Sequence, residues 1–340
     1  MKRSLSERIT ELLECPVCRG QLANDDGWRC MLCGIEYIVE DGIPILTPPG
    51  VDSFKRRESH FFSRGPSDEV ATERSVHSPR VWRYHERYLT PLLAGPDAPT
   101  LLEVACGLGY DLTALASRGA EVVGVDIAPG SVRFTGRQIE SAGRSGDSFL
   151  AVADGERLPF RNEQFDGVLI AASLHHLPRP FKCLTEMARC CKKGGVVVIG
   201  IEPNCWPYFS LFKFIGLLRR FVKLVEFICG RDARNLREAT ECFSSEGRAL
   251  DDHSPGDAVT RGFTARRLRE MAERAGLTVH ECQRVWYLSG LMQAVPGLGW
   301  LMNVSYGVQE MIVHLDDALS RLPILNLLNW HWTVVCVKRA

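Results

Sequence analysis

Residues 101–126 read LLEVACGLGYDLTALASRGAEVVGVD, and this stretch decides the fold. The apolar run Leu101 to Ala105 reads as a buried strand, and Tyr110 to Arg118 repeats Leu112, Leu115 and Ala116 at helical spacing. Cys106-Gly107-Leu108-Gly109 lies between them, and Gly119 stops the helix. A second apolar run, Glu121 to Val125, ends in Asp126. The order is therefore strand, glycine turn, helix, strand, acid, which is half of a nucleotide-binding α/β fold. A turn without Cβ atoms lets a bulky ligand lie against the backbone where strand meets helix. A carboxylate about 20 residues later is placed to accept hydrogen bonds from ribose hydroxyls. The turn is G-x-G without a third glycine, and no G-K-[ST] follows. A P-loop is thereby excluded, and a dinucleotide fingerprint is weakened.

Further segments follow in order. Ala153-Asp154-Gly155-Glu156-x-Leu158-Pro159-Phe160 comes after a third strand expected at Phe149 to Val152. Phe165-Asp166-Gly167-Val168 opens a fourth strand leading to His175-His176-Leu177, and Cys191-Lys192-Lys193-Gly194-Gly195 precedes a fifth, Val196 to Ile201. From about Arg80 onward, these motifs resemble the class I S-adenosylmethionine-dependent methyltransferases, in the small-molecule branch that includes quinone C-methyltransferases. Glu103-x-x-Cys106-Gly107-x-Gly109 is similar to that family's first motif and Val125-Asp126-Ile127 to its second. The resemblance implies an α/β, Rossmann-like, doubly wound seven-stranded sheet in the order 3-2-1-4-5-7-6, the last strand antiparallel, with S-adenosylmethionine as cofactor.

The resemblance also implies roles. Glu103 faces the methionine end, Gly107 and Gly109 allow close approach, Asp126 binds ribose and Asp154 meets the adenine amine. Ile127 and Leu158 flank the adenine ring, and Cys106 and Gly155 complete the cofactor-binding set. His175 and His176 stand where the fourth strand runs out and are the candidate catalytic residues, since an imidazole can take a proton from a hydroxyl or an activated carbon acid. Shaping the pocket or orienting the cofactor is the competing role. Ala172-Ser173-Leu174 stands where N-P-P-Y would follow strand four, which disfavours methylation of the adenine exocyclic amine.

The chain of 340 residues balances 41 Lys and Arg against 41 Asp and Glu, which argues against a broad nucleic-acid footprint. Met1 to Glu14 mixes charges with leucines and holds no apolar core segment, and with 13 cysteines this points to a reducing, cytoplasmic compartment. Nine of the cysteines are scattered and read as small buried residues or idle thiols. The other four, Cys15, Cys18, Cys30 and Cys33, form two C-x-x-C knuckles separated by eleven residues. Two such turns supply the four thiolates of a closed tetrahedral Zn²⁺ site, structural rather than catalytic. Disulfides are disfavoured by the compartment, and a redox pair needs only one C-x-x-C. Leu12 to Pro48 is similar to the small zinc-ribbon proteins that activate tRNA and translation-factor methyltransferases, which implies a scaffold or a surface for a protein partner.

The expected organisation is a zinc ribbon over 1–50, a linker with one short helix over 51–79, and a methyltransferase domain over 80–340. Lys55-Arg56-Arg57 in the linker reads as a solvated face. Helices are expected at Val81 to Leu93, Ser131 to Ala142 and Phe263 to Ala275, and the last two strands at Thr278 to Tyr287 and Trp332 to Val337. Two helical insertions occupy 203–262 and 288–329. In the first, Trp206 to Cys229 puts its charges on one side, which suits a membrane interface, a greasy substrate lid or packing on the protein's own core. In the second, Val285 to Gln309 is uncharged, but Pro296 and its glycines disfavour a spanning helix. Together the insertions are expected to wall an apolar pocket. The expected activity is methyl transfer to oxygen or carbon of a hydrophobic or lipid-linked small molecule, with peripheral attachment at the inner face of the membrane as a further expectation. The alternatives are an rRNA or tRNA methyltransferase that contacts RNA through the ribbon, and a catalytically inactive binding partner.

Overall fold

A computed structural model describes residues 4–24, 27–63, 79–205, 262–288, 306–322, 325 and 328–339. Leu5, Ile9 and Leu12 fall at i, i+4 and i+7 of α1 (Leu5–Leu12), so one stripe of this helix is apolar, and it is buried. The strands β1 (Leu22–Asn24), β2 (Trp28–Cys30) and β3 (Glu36–Tyr37) make a small antiparallel sheet. β4 (Val39–Glu40) pairs with β5 (Ile43–Pro44) through Asp41 and Gly42, whose φ angles of 52° and 78° suit a tight hairpin.

Among the described residues, α2 (Ser53–Ser63) and α3 (Pro79–Leu93) follow, and then the main sheet. Its strands are β6 (Thr100–Val104), β7 (Glu121–Asp126), β8 (Ser148–Val152), β9 (Phe165–Ala171), β10 (Cys191–Pro203), β11 (Leu277–Val285) and β12 (His331–Lys338). The spatial order is β8-β7-β6-β9-β10-β12-β11, and β12 runs antiparallel to both neighbours. Counted from β6, this is the expected order 3-2-1-4-5-7-6. The central strands are buried on both faces, which is why they read as unbroken apolar runs.

The connecting helices α4 (Tyr110–Ser117) and α5 (Pro129–Ser141) join α3 on one face, where Tyr88, Leu89, Leu112 and Ile139 share a core. On the other face lie α6 (Pro180–Cys190) and α7 (Ala265–Arg274). The described part of the second insertion contains α8 (Tyr306–Ser320), which packs on α3. Residues 206–261 and 289–305 lie outside the described residues, and with them Trp206 to Cys229, most of the uncharged run and the expected apolar wall. Among the described residues no helix is long and apolar enough to cross a membrane.

Some boundaries differ from expectation for local reasons. β10 begins at Cys191 rather than Val196, because a bulge at 192–195 lets the strand start early; Gly194 has φ 73°, and a Cβ on Gly195 would sit 2.8 Å from the Asp166 carbonyl oxygen. α7 begins after Thr264, whose hydroxyl accepts the Arg267 N–H at 3.1 Å, while Phe263 is bridged to Asn204 instead.

The N-terminal segment shares a core with the sheet. Leu5, Ile9, Leu13, Leu22, Trp28 and Leu46 belong to the same buried cluster as Leu102, Val125, Met187 and Leu268. Backbone bonds fix the seam: Leu46 N–H donates to Val152 O at 2.7 Å, Glu14 N–H to Pro159 O at 3.0 Å and Arg161 N–H to Leu12 O at 2.8 Å. Arg19 and Arg189 both donate to Glu14 and Glu186, and Glu186 accepts the Leu158 N–H at 3.0 Å as well. The N-terminal segment is thus stapled to the edge of β8 and to the loop that follows it.

Candidate functional site

A cleft opens at the C-terminal ends of β6 and β9, where the strand order reverses and open α/β sheets bind ligands. The empty space along it, open solvent included, is about 700 Å³. Ala105, Gly107, Asp126 and Ile127 form one wall, Asp154 and Gly155 the floor of another, and Ala172, Ser173 and His176 a third. Ala105 and Ala172 both take left-handed backbone conformations, φ 54° and 48°, at the ends of their strands. Such strain in non-glycine residues concentrates at binding sites.

Gly107 has φ 52°, and a Cβ built on it would meet nothing within 4 Å, so the turn leaves open space toward the cleft. Gly109 is different. Its φ is 71°, and a Cβ there would strike the Thr135 side chain at 2.4 Å, so this glycine lets α5 approach α4. Asp126 holds the turn together: Oδ2 accepts the Gly107 N–H at 2.9 Å and Oδ1 the Ala128 N–H at 2.8 Å. Burial pushes its carboxyl above the usual range, and these backbone donors oppose the rise. Each oxygen keeps a further lone pair for a ligand hydroxyl.

Glu103, on β6 behind the turn, is 4 % exposed, and its Oε2 has no hydrogen-bond partner among the described residues. Burial pushes its carboxyl well above the ordinary range, helped by the charge of Asp111 and, less, of Asp126. An acid in that state favours a cationic neighbour. The positive charges of S-adenosylmethionine fit that demand, as the open Gly107 and the paired Asp126 fit its ribose.

The loop after β8 carries a buried charge cluster. Asp154 Oδ1 accepts the Glu156 N–H at 2.9 Å, and Lys55 Nζ donates to Asp154 Oδ2 at 2.6 Å and to Glu156 Oε2 at 2.7 Å. Arg179 also donates to Glu156 at 2.8 Å. Lys55 is 4 % exposed, so the first residue of the basic triplet departs from the expected solvated face; Arg56 and Arg57 are exposed. α2 lies over the cleft, with Phe54, Lys55, Glu58 and Phe62 in its lining.

The two histidines separate. His175 is buried, with Nδ1 2.9 Å from Glu202 Oε2. Glu202, fully buried, also accepts the N–H groups of Ser173, Leu174 and His175 at 2.9, 2.8 and 3.1 Å. His176 lines the cleft, and its Nδ1 is 3.6 Å from Glu58 Oε2. Of the residues expected to bind cofactor or act in catalysis, Gly107, Asp126, Ile127, Asp154, Gly155 and His176 meet on the cleft. Glu103, Cys106, Gly109, Leu158 and His175 stand behind it; Leu158 is fully buried beneath the N-terminal segment, its carbonyl accepting from Arg19 at 2.9 Å. Lys55, Glu58 and Glu202 are absent from the expected site residues. Only the i, i+3, i+7 spacing of Lys55, Glu58 and Phe62 signalled a common helix face.

Away from the cleft, the Sγ atoms of Cys15, Cys18, Cys30 and Cys33 all lie within 4.8 Å of one another. Cys15 and Cys33 are 3.8 Å apart and Cys18 and Cys30 3.4 Å, close to the ~3.8 Å edge of a tetrahedron with 2.3 Å Zn–S bonds. Val17 N–H and Cys33 N–H point at the Cys15 and Cys30 sulfurs, 3.4 and 3.5 Å away. Gly20 is tied to the knuckles, since a Cβ there would sit 3.0 Å from Cys30 Sγ and 3.3 Å from Cys18 Sγ. The donor set fits a structural zinc ion.

Residues 102–199 match the family model described as a methyltransferase domain. The chain is 34 % identical over 132 residues to a demethylmenaquinone methyltransferase of Clavibacter sepedonicus, covering 39 % of this chain and 51 % of that protein. It is 30 % identical over 98 residues to a sterol 4-C-methyltransferase of Caenorhabditis elegans, covering 29 % of each. The chain thus spans about half the length, or less, of these curated relatives. Among solved structures it is similar in fold to the geranyl diphosphate C-methyltransferase of Streptomyces coelicolor, solved with Mg²⁺, geranyl diphosphate and S-adenosyl-L-homocysteine. The TM-score is 0.52 at 14 % identity, over 86 % of this chain and all of that one.

Proposed function

We propose that the chain is an S-adenosylmethionine-dependent methyltransferase whose acceptor is a hydrophobic or lipid-linked small molecule methylated at oxygen or carbon. The observation that carries the chemistry is the cradle in which open Gly107 is tied to Asp126, with an oxygen of Glu103 that has no hydrogen-bond partner among the described residues. When bound, the cofactor supplies an electrophilic methyl group on a sulfonium. The protein's part is to hold, orient and keep dry. Gly107 admits the cofactor to the backbone, Asp126 accepts from ribose hydroxyls, and Glu103 answers the positive charge near the methionine end. Asp154, Gly155 and Ile127 receive the adenine, and His176 takes the proton that the acceptor releases. Phe54, Phe62, Leu177 and Pro178 keep the cleft apolar on its outer side. Positioning of this kind contributes up to about 7–11 kcal/mol to lowering a barrier.

The matched relatives support the acceptor class loosely, since a demethylmenaquinone and a sterol are both apolar. Zinc on the four cysteines is structural in this reading, because a closed thiolate set leaves no open coordination position. The ribbon then acts as a built-in scaffold for the loop that carries Asp154. Cytoplasmic residence with peripheral attachment to the inner membrane face completes the proposal, and flotation with anionic liposomes tests that clause. Recovery of all protein in the soluble fraction would remove it.

Transfer of radiolabelled methyl from S-adenosylmethionine to a lipid extract, against total RNA, tests the acceptor class. Label in the lipid fraction is expected; label confined to RNA would move the function to rRNA or tRNA. Failure of the purified chain to bind S-adenosylmethionine in a calorimetric titration would make it an inactive binding partner.

A further inference from the structure

We infer that Glu58, supplied by α2 from outside the matched methyltransferase segment, is the positioning carboxylate of His176. The strand-end histidine then works as an imidazole–carboxylate pair completed by a helix that lies between the ribbon and the sheet. This rests on the methyl-transfer reading of the cleft.

α2 is fixed over the cleft at both ends of its inner face. Lys55 is locked to Asp154 and Glu156, Ser59 Oγ donates to Ile127 O at 2.8 Å, and Ser63 closes on Gly130, where a Cβ would sit 2.1 Å from the Ser63 carbonyl oxygen. A helix held this way presents Glu58 and Phe62 to the strand ends without freedom to turn. Glu58 is 5 % exposed, and a carboxylate that deep requires compensation. Its Oε2 lies 3.6 Å from His176 Nδ1, within ion-pair range. Phe62 meets the His176 ring edge-on, with centroids 5.3 Å apart at 86°, and the His175 ring lies 4.0 Å away. One helix therefore sets both the orientation and the charge environment of the imidazole.

Among the described residues, the charged and titratable neighbours come from three directions. α2 brings Glu58, and Lys55 is committed to its two acids. The loop and β10 bring His175, which is paired with Glu202, and beyond it β12 brings His331, whose imidazole burial pushes down to about 3 and thus keeps neutral. Among the described residues, Glu58 is the anion paired with His176. In the reaction, an O–H or C–H bond of the acceptor would break and its proton would form an N–H bond on His176, while the electron pair left behind would bond the methyl carbon as the methyl–sulfur bond breaks, that bond's pair staying on sulfur in the departing S-adenosylhomocysteine. The imidazolium that results faces Glu58, and the pair is neutral overall. His175 has its own carboxylate and stands behind the cleft, so its pair organises the turn.

The test uses the full zinc-loaded chain with ¹⁵N-labelled histidine, the His176 signal being assigned with His176→Asn. Its titration is followed by NMR in wild type, Glu58→Gln and Glu58→Asp, with the affinity for S-adenosylhomocysteine measured in parallel. Glu58→Gln is expected to move the His176 midpoint down by about one unit. Glu58→Asp is expected to restore part of that shift, with S-adenosylhomocysteine affinity within about threefold of wild type in both variants. An unchanged midpoint in Glu58→Gln, with ligand binding intact, would overturn the pairing and leave the methyl-transfer reading standing. Absence of S-adenosylhomocysteine binding by wild type would instead overturn that reading, and the role given to Glu58 with it.

Discussion

Lys55 Nζ donates to Asp154 Oδ2 across 2.6 Å, with both side chains buried, and so ties a helix that precedes the sheet to the loop assigned to adenine. The ion pair couples two regions 99 positions apart in sequence. It makes α2 a wall of the cleft.

Replacing Lys55 by Met keeps most of the volume and removes the charge. Asp154 is left without its cation, while Glu156 keeps Arg179. Removing one partner of a buried pair costs about 3 kcal/mol or more, so a loss of that size in urea denaturation, with weaker S-adenosylhomocysteine binding, is expected. Unchanged stability would mean that α2 is not anchored through Lys55.

Metal analysis of the purified chain is expected to find a single zinc ion, lost in a Cys30→Ser variant. Because Trp28, Leu13 and Leu46 are continuous with the core beneath β8, chelation should unfold more than the ribbon. The expected readouts are a changed Trp28 emission and a lower Tm for the whole chain. Separate unfolding of the ribbon, with the sheet's transition unmoved, would contradict the shared core.

Glu186 gives the seam a pH dependence of known sign. Burial pushes its carboxyl up, but the bonds and charges of Arg189 and Arg19 more than offset this and hold it below the usual range. A lowered folded-state value means that the stabilisation is present above about pH 4.5 and is lost as the pH falls through the folded value. Stability measured against pH should therefore fall on that acid side, and Glu186→Gln should flatten the fall.

Much of the sheet was legible because its signals are local. An apolar run, a glycine turn and a terminal acid each declare themselves within a few residues, and two C-x-x-C knuckles at fixed spacing bring four thiols together. The part that was not legible depends on distant partners. Lys55 sits in a basic triplet that looks solvated until Asp154 and Glu156 are brought to it, and Glu58 acquires meaning only beside His176. Glu202 lies within a strand, and its bonds to the turn at 173–175 come from the fold. Gly109 adds a demand that its G-x-G pattern did not show: a Cβ there would strike Thr135.

Glu103 has the opposite sign to Glu186. Its carboxyl lies well above the ordinary range through burial and the charges of Asp111 and Asp126, so its charged form opposes folding. Its contribution to stability is present below about pH 4.5 and is lost as the pH rises through the folded value. Glu103→Gln is therefore expected to raise the Tm of the ligand-free chain at pH 8 while weakening S-adenosylmethionine, whose positive charge the acid answers. A lower Tm together with unchanged affinity would remove this role.

The most direct test of the cofactor assignment is calorimetric titration of S-adenosylhomocysteine into wild type and Asp126→Ala, with NADH titrated in parallel. Saturable binding of S-adenosylhomocysteine by wild type is expected, weakened about tenfold or more by loss of the carboxylate that receives ribose, and no binding of NADH. Binding of NADH without S-adenosylhomocysteine, or equal S-adenosylhomocysteine affinity in Asp126→Ala, would contradict it.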